Sequence, residues 1–321
     1  MLILGSAIFF FLNTRVALAL KDCDNVYSDN TNTFTGLCNN KWSNLKPLVR
    51  PTQSQVGYAW IKYKLEKSFT SSSSAQDEMS DSVPAVLGPD GYFYIVDDHH
   101  TLSALDYSGY SDVSVTLDVL CDKRSTASMD IFYKYLEGNN FIYLGYHPLD
   151  KPNVLPEAIA PQFLPTIFSF TSSSKSFTDD PWRSMAGYSR KVSDSEYRCM
   201  YRGCGDGSQS SGASVPYFEF KWSYFMLDAT YYNSSYWPSP SSFKAFYTSY
   251  QGVSTTANID KIDTSSWKAA AELIIPLCRA ELTGSYALPS AIYGDELSLP
   301  GYVQGMVALA DDPTCVLPEC I

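Results

Sequence analysis

The feature that most constrains the fold is a pair of adjacent histidines, His99 and His100, placed where the hydrophobic periodicity changes. Residues 92–96 alternate like a β-strand, and the residues that follow the histidines repeat apolar side chains at helical spacing. The pattern predicts that residues 97–101 form the turn between a strand and a helix. Such a turn directs backbone N–H groups and the positive end of a helix dipole outward, which favours anion binding.

Periodicity, turn residues and capping residues predict a mixture of strands and helices along the rest of the chain. Strands are predicted at 83–87, 92–96 and 113–120, and the first two form a hairpin around a turn at 88–91. Helices are predicted at 56–65 (beginning after Pro51 and Thr52), at 128–136, from 178–183 onward and at 265–275. A serine-rich loop is predicted at 68–82, a proline-bearing connection at 152–165, and a strand or a buried helix at 216–227.

The composition is that of a globular, acidic chain. With 321 residues, of which 45% are hydrophobic, the chain can bury one sizeable core or two modest ones, and we expect one decorated domain. The formal net charge of -11 repels phosphate backbones, and no basic stripe in the sequence compensates for it. Nucleic acid is therefore a disfavoured partner, although the charge does not exclude it.

The N-terminus has the pattern of a secretory signal. An apolar core at Leu2–Leu12 precedes a small-x-small cleavage motif at Ala17–Ala19. We therefore expect residues 1–19 to be a signal peptide, the protein to be secreted, and the sequon at Asn233 to be glycosylated. No basic residue precedes the apolar core, so a misassigned start or a membrane anchor is an alternative, but the segment is short for a transmembrane helix.

The cysteine content agrees with export. All eight cysteines follow the expected cleavage point: Cys23, Cys38, Cys121, Cys199, Cys204, Cys278, Cys315 and Cys320. An even number in an exported chain predicts disulfide bonds, and zinc binding is the alternative. We expect residues 20–46 to be a cysteine-bearing extension outside the core, residues 47–302 to be the main domain with insertions, and residues 303–321 to be a tail.

Six short motifs in this order resemble the ParB-like nuclease family, a divergent branch of the ParB/sulfiredoxin fold. The motifs are Leu48–Gly57, Val83–Gly91, Tyr94–His100, Asp179–Gly187, Tyr217–Trp222 and Leu299–Tyr302. The resemblance spans about residues 46–302. It implies an α+β fold with a ParB/sulfiredoxin-like core, in which helices pack on a small mixed sheet, plus a helical C-terminal extension.

The resemblance also implies a phosphate or nucleotide site at the strand-turn-helix of residues 97–101. This chain departs from the sulfiredoxins at two positions, because His99 replaces their cysteine and Thr101 replaces the arginine that follows. Sulfinic acid repair is therefore not expected. A bound phosphate needs a basic partner from elsewhere, and Arg183 and Arg190 are the candidates because a guanidinium can bind an oxyanion with two hydrogen bonds.

The predicted catalytic residues are Asp97, Asp98, His99 and His100. One histidine, oriented by an aspartate, would act as general base for the attack of water or a substrate hydroxyl on a phosphoryl centre. A divalent cation bound by the two aspartates and a histidine is an alternative without a diagnostic spacing. Structural alternatives are that Asp98 caps the helix and that either histidine only bonds the backbone.

The predicted ligand-binding residues are Gln53, Asp179, Arg183, Arg190, Glu219 and Trp222. Asp179 could instead cap a helix, and Glu219 and Trp222 could be wall or core residues, although a glutamate among aromatic rings can serve as a general acid or base. The sequence thus favours a hydrolase or transferase that acts on a small phosphorylated or anionic ligand. A nuclease and a non-catalytic secreted binding module are the alternatives.

Overall fold

The computed structural model describes residues 36–147, 156–169, 175–189, 219–220, 223, 226–227, 245–246 and 256–273. Its strands form one five-stranded sheet and two sheets of two strands each. The strands are β1 (Gly36–Lys41), β2 (Val49–Pro51), β3 (Gln55–Val56), β4 (Val83–Leu87), β5 (Phe93–Ile95), β6 (Ser114–Asp122), β7 (Gly145–Tyr146), β8 (Glu157–Ala158) and β9 (Thr178–Asp179).

The main sheet has the order β1-β6-β4-β5-β2 and is mixed. β1 with β6 and β4 with β5 are antiparallel pairs, whereas β6 with β4 and β5 with β2 are parallel pairs. The predicted hairpin is confirmed: β4 and β5 pair around a turn in which Gly91 has a positive φ. The mixed sheet with its packed helices confirms the predicted α+β class.

The helices lie between and after these strands. They are α1 (Trp42–Leu45), α2 (Tyr58–Lys67), α3 (Ser72–Glu78), α4 (His99–Ser108), α5 (Met129–Gly138), α6 (Pro181–Ser189) and α7 (Thr264–Glu272), with 3-10 turns at Lys46–Leu48, Pro161–Phe163 and Thr256–Lys261. α2 packs against both α4 and α6, and α6 packs against α7. Within the described part of the chain, no helix combines the length and the apolar character needed to cross a membrane.

Apolar side chains cover both faces of the main sheet. The larger cluster joins one face of β4 and β6 to α2, α4 and α6, and includes Trp60, Leu117 and Trp182. The smaller cluster lies on the other face, where Val86 and Tyr94 meet side chains of α5. Because β-strand side chains alternate between faces, β4 can contribute to both clusters.

Part of the predicted N-terminal extension belongs to the core, which corrects the boundary expected from the sequence. β1 pairs along its whole length with β6, and Cys38, Trp42 and Leu45 are buried. The Asn-rich composition of this segment suggests a loop, but β1 is an edge strand whose outward side chains remain exposed. Cys38 and Cys121 are both disulfide-bonded.

The predicted start of the helix at 56–65 was wrong. Pro51 ends β2 and Val56 ends β3, so α2 begins only at Tyr58. The N–H groups of its first turn bond side chains distant in the sequence: Tyr58 N–H donates to Asp179 Oδ1 over 2.8 Å, and Ala59 N–H donates to Ser184 Oγ over 3.1 Å. A helix capped by tertiary partners gives no local start signal.

The serine-rich segment was also predicted wrongly, because it contains α3 rather than only loop. Ser71 and Ser74 form a reciprocal capping box that satisfies the N-terminus of this helix. The helices predicted at 128–136, after 178–183 and at 265–275 are present as α5, α6 and α7, and Ser128 is the N-cap of α5. The described residues between 216 and 227 are helical, whereas residues 299–302 lie outside the described residues.

α2 and α6 approach each other so closely that two glycines are required at their contact. A Cβ atom at Gly57 would lie 2.4 Å from the backbone nitrogen of Ser184, and a Cβ atom at Gly187 would lie 2.3 Å from the indole of Trp60. Both distances are far below van der Waals contact. The separation of α2 and α6 is therefore set by the absence of side chains at these positions.

We expect Gly57→Ala to lower the free energy of unfolding by about 1–3 kcal/mol, because the added methyl group must push the backbone of α6 away. Gly138→Ala is the matched control, since no atom of the described residues lies within 4 Å of its added Cβ. The control should leave stability unchanged or raise it by about 0.5–1 kcal/mol. Urea denaturation measures both effects, and equal stability of the two variants would contradict the close contact.

Candidate functional site

The predicted strand-turn-helix is present, with the helix beginning one turn earlier than its apolar repeat suggests. β5 ends at Ile95, and Asp98 adopts a left-handed conformation with φ 63° immediately before α4. Aspartate tolerates this conformation better than most residues. The predicted turn at 97–101 is thus limited to Asp97 and Asp98, and both histidines belong to the first turn of α4.

Both imidazole rings accept hydrogen bonds from backbone N–H groups of the segment between β2 and α2. Thr52 N–H donates to His99 Nε2 over 3.0 Å, and Gly57 N–H donates to His100 Nε2 over 2.9 Å. A neutral ring that accepts at Nε2 carries its proton on Nδ1. The lone pair that a histidine base would use is therefore already engaged in both rings.

The surroundings of the histidines keep them neutral. His99 is buried, stacks on Phe168 with ring centroids 5.8 Å apart, and meets Phe177 edge-on. Burial, reinforced by the positive charge of Arg183, lowers the pKa of His99 to about 3. Burial also lowers the pKa of His100 well below its usual value, and Arg183 again adds to the shift.

The aspartates of the turn form local hydrogen bonds. Asp97 is exposed, and its Oδ1 accepts the N–H of Asp98 over 2.7 Å. Asp98 Oδ1 accepts the hydroxyl of Thr101 over 3.0 Å. Among the described residues, no group of three or more His, Cys, Asp or Glu side chains is arranged to bind a metal ion.

The buried aspartates of the Asp179–Gly187 motif cap two different helices. Asp179 Oδ1 accepts from Tyr58 N–H at the start of α2. Asp180 Oδ1 accepts the N–H groups of Trp182 and Arg183 at the start of α6, over 3.0 and 3.4 Å. Gln53 is buried as well, and its amide donates to the carbonyl of Gln55. These contacts connect the elements around the site.

Arg183 is the centre of a polar cluster that we call the Arg183 cluster, in which Arg183 and His100 are buried and Glu219 is partly exposed. Arg183 Nη2 lies 3.0 Å from Glu219 Oε2, and the same oxygen lies 3.9 Å from His100 Nδ1. The guanidinium carbon lies 3.8 Å from the ring centroid of Phe220, in a cation–π contact. Phe220 in turn stacks on Tyr143, with ring centroids 3.6 Å apart.

Two nitrogens of this guanidinium lack hydrogen-bond partners among the described residues. Arg183 Nε and Nη1 are buried, and neither has an acceptor among the residues that the structure describes. The buried Asp180 Oδ2 also lacks a donor there, and burial raises the pKa of Asp180 to about 6 although Arg183 opposes the shift. Unpaired N–H groups on a buried cation are costly, and native proteins keep few of them without a functional reason.

The structure thus brings together four of the predicted site residues, which are His99, His100, Arg183 and Glu219. The two histidines bond the backbone and interact electrostatically with Arg183, and Arg183 forms an ion pair with Glu219. Arg190 and Trp222 lie outside the described residues. Sequence reasoning missed Thr52 and Gly57 as partners of the rings. Both lie in the Leu48–Gly57 motif, which was the available signal.

Comparison with known proteins identifies the family. A family model described as "Putative ParB-like nuclease" matches residues 44–228, which is more than half of the chain. The chain therefore belongs to the ParB-like nuclease family, as its motifs predicted. It is also similar to a solved structure, protein Atu1540 from Agrobacterium tumefaciens, with 20% identity, a TM-score of 0.41, and coverage of 67% of this chain and 90% of that chain. No curated protein matches the sequence significantly.

We expect His100→Ala to destabilise the protein, because Gly57 N–H would lose its acceptor in a buried position. An unsatisfied buried donor costs about 1–3 kcal/mol, to which the lost ring packing adds. His100→Gln is the matched variant, since an amide oxygen can replace the acceptor, and it should retain more of the stability. Urea denaturation distinguishes the variants. Wild-type stability in His100→Ala would show that the ring has no structural role.

Asp180 should make stability depend on pH. Its pKa is about 6 in the folded protein against 3.8 unfolded, so between these values the folded state holds a proton that the unfolded state has released. The contribution of this carboxyl group to the free energy of unfolding is therefore fully present below pH 3.8. It decreases by about 3 kcal/mol in total as the pH rises to about 6.

Asp180→Asn keeps the capping oxygen and removes the titration. As the pH rises from 4 to 7, the free energy of unfolding of this variant should increase relative to that of the wild type. Above pH 7 the difference should remain constant. The burial of His99 acts in the opposite direction, but it is common to both proteins and cancels in the difference. A difference independent of pH would contradict the raised pKa of Asp180.

Proposed function

We propose that the protein is a phosphate-directed hydrolase that binds a phosphoryl group of its ligand through Arg183. The observation that carries the proposal is the buried guanidinium whose Nε and Nη1 have no acceptor among the described residues. Glu219 occupies only Nη2. A guanidinium presents its donors in a planar fork, so the remaining N–H groups suit the tetrahedral oxygens of a phosphate.

The neighbours of Arg183 support an anion rather than a cation as the ligand. The two imidazoles are neutral and carry protons on Nδ1, so His100 can add a hydrogen-bond donor without adding charge. The ring of Phe220 covers one side of the guanidinium and limits its contact with water. A low local dielectric strengthens the attraction between Arg183 and an anion.

Membership of the ParB-like nuclease family supports a phosphoester as the bond that is cleaved. In such a reaction water attacks phosphorus, and Arg183 would stabilise the negative charge on the phosphoryl oxygens. The net charge of -11 favours a small phosphorylated ligand over a long nucleic acid. A nuclease is the second candidate, which the family relationship favours.

We also propose that the protein is exported. The sequence pattern of residues 1–19 supports a signal peptide, and the disulfide bonds of Cys38 and Cys121 suit an oxidising compartment. Residues 1–19 and the sequon at Asn233 lie outside the described residues. Mass spectrometry of the secreted protein would report cleavage after Ala19 and glycosylation of Asn233.

We expect Arg183→Gln to reduce the affinity for phosphate ligands at least 10-fold, because it removes the charge and most of the donors. Calorimetric titration with inorganic phosphate, a nucleoside monophosphate and a short oligonucleotide would measure the effect and rank the ligands. Arg183→Lys should retain part of the affinity, since an ammonium keeps the charge but not the planar fork.

Arg124→Gln is the matched control, because Arg124 pairs with Asp122 and is not a member of the Arg183 cluster. It should bind the same ligands as the wild type does. If Arg183→Gln also bound them with wild-type affinity, the proposed phosphate site would be wrong. Binding without hydrolysis of any tested ligand would instead favour the non-catalytic binding module.

A further inference from the structure

We propose that Glu219 is the catalytic base that activates the attacking water. This inference rests on the proposed phosphate-directed hydrolase and assigns a residue to its central step. The sequence predicted a histidine of α4 as the general base, whereas this inference assigns that role to a carboxylate of the Arg183 cluster. A general base near Arg183 must be able to accept a proton and must be accessible to a water molecule.

The two histidines are poorly placed to accept a proton. A base needs an available lone pair within hydrogen-bond reach of the water. In both rings the Nε2 lone pair receives a backbone N–H, from Thr52 in one case and from Gly57 in the other. The Nδ1 atoms then carry the protons of the neutral rings. At Nδ1, His100 is therefore a donor and cannot accept a proton from water.

The neighbouring aspartates are engaged in capping. Asp179 and Asp180 are buried, and each uses Oδ1 to accept N–H groups at the start of a helix. Using either of them as a base would weaken the helix end that it caps. Asp97 and Asp98 contact groups of their own turn. Asp180 Oδ2 has no donor among the described residues, but it is buried, so a water molecule reaches the partly exposed Glu219 more readily.

Glu219 combines proximity with access to solvent. Its side chain is 19% exposed, compared with 5% for Arg183 and 8% for His100. It is therefore the member of the cluster that water reaches most readily. Its Oε2 lies 3.0 Å from Arg183 Nη2, so a phosphate held by the remaining donors of Arg183 would lie beside the carboxylate. Accepting from Arg183 Nη2 uses one of the roughly four lone-pair directions of a carboxylate.

The step conserves atoms and charge. The water oxygen forms a bond to phosphorus while one water proton passes to the Glu219 carboxylate. The bond between phosphorus and the leaving oxygen breaks, and that oxygen takes a proton from the protonated Glu219, which restores the carboxylate. Arg183 stabilises the phosphoryl oxygens throughout, and no oxidant or reductant is needed. His100 borders the carboxylate, with Nδ1 at 3.9 Å from Glu219 Oε2, which is beyond hydrogen-bond distance.

The test compares Glu219→Gln with the wild type, using bis(p-nitrophenyl) phosphate and a fluorescent oligonucleotide for turnover and inorganic phosphate for binding. Glutamine preserves shape and can still accept from Arg183, so phosphate affinity should stay within about 3-fold or rise. Turnover should fall by about 100- to 10,000-fold, the usual contribution of a general base. The acidic limb of the pH–rate profile should also disappear, which loss of a purely structural contact would not cause.

Glu219→Asp and Glu66→Gln complete the design. Glu219→Asp retains a carboxylate and should recover part of the turnover together with the acidic limb. Glu66→Gln makes the same chemical change at a residue that accepts from Thr264 and is outside the Arg183 cluster, and it should behave like the wild type.

Three outcomes would count against the inference in different ways. Turnover of Glu219→Gln within 3-fold of the wild type would overturn the role of Glu219 and leave the proposed phosphate-directed hydrolase intact. Phosphate binding by the wild type without hydrolysis of either probe would overturn the base and the hydrolase but not the anion site. Failure of the wild type to bind phosphate at all would overturn both proposals.

Discussion

The hydrogen bonds from Thr52 N–H and Gly57 N–H to the two imidazoles are the interaction on which the rest of the arrangement depends. They fix the segment between β2 and α2 against the first turn of α4. Gly57 is also one of the two glycines that allow α2 and α6 to approach closely, and α6 carries Arg183. The position of the guanidinium is thus coupled to the histidine pair through the backbone as well as through charge.

This arrangement explains why the histidines are neutral beside the positive charge of Arg183. Burial already disfavours protonation of both rings, and the adjacent guanidinium opposes it further. A second positive charge near Arg183 would compete for Glu219 and repel the guanidinium. Neutral rings instead supply scaffolding and donors, so the charge balance of the cluster depends on one cation and one carboxylate.

Local patterns predicted those parts of the fold that local interactions determine. The β4–β5 hairpin followed from alternation around a glycine-containing turn, and α5 followed from Ser128 at its N-cap. The start of α2 could not be predicted, because its first N–H groups bond Asp179 and Ser184, more than a hundred residues away. β1 was missed for a similar reason: its pairing with β6 is a long-range contact that its polar composition does not indicate.

At the candidate site as well, sequence patterns point to particular residues but do not determine what each residue does. The sequence indicates His100 as a candidate from the change of periodicity, Arg183 as a basic partner for an anion, and Glu219 as a carboxylate among aromatic residues. It could not assign their roles, since the lone pair of a histidine is engaged or available according to a tertiary partner. A ring that holds a backbone amide must remain neutral and fixed, whereas a base must gain and lose a proton in each turnover. One side chain cannot satisfy both demands without loosening the scaffold that positions Arg183, which is a physical reason why the proposed hydrolysis would use the more accessible carboxylate.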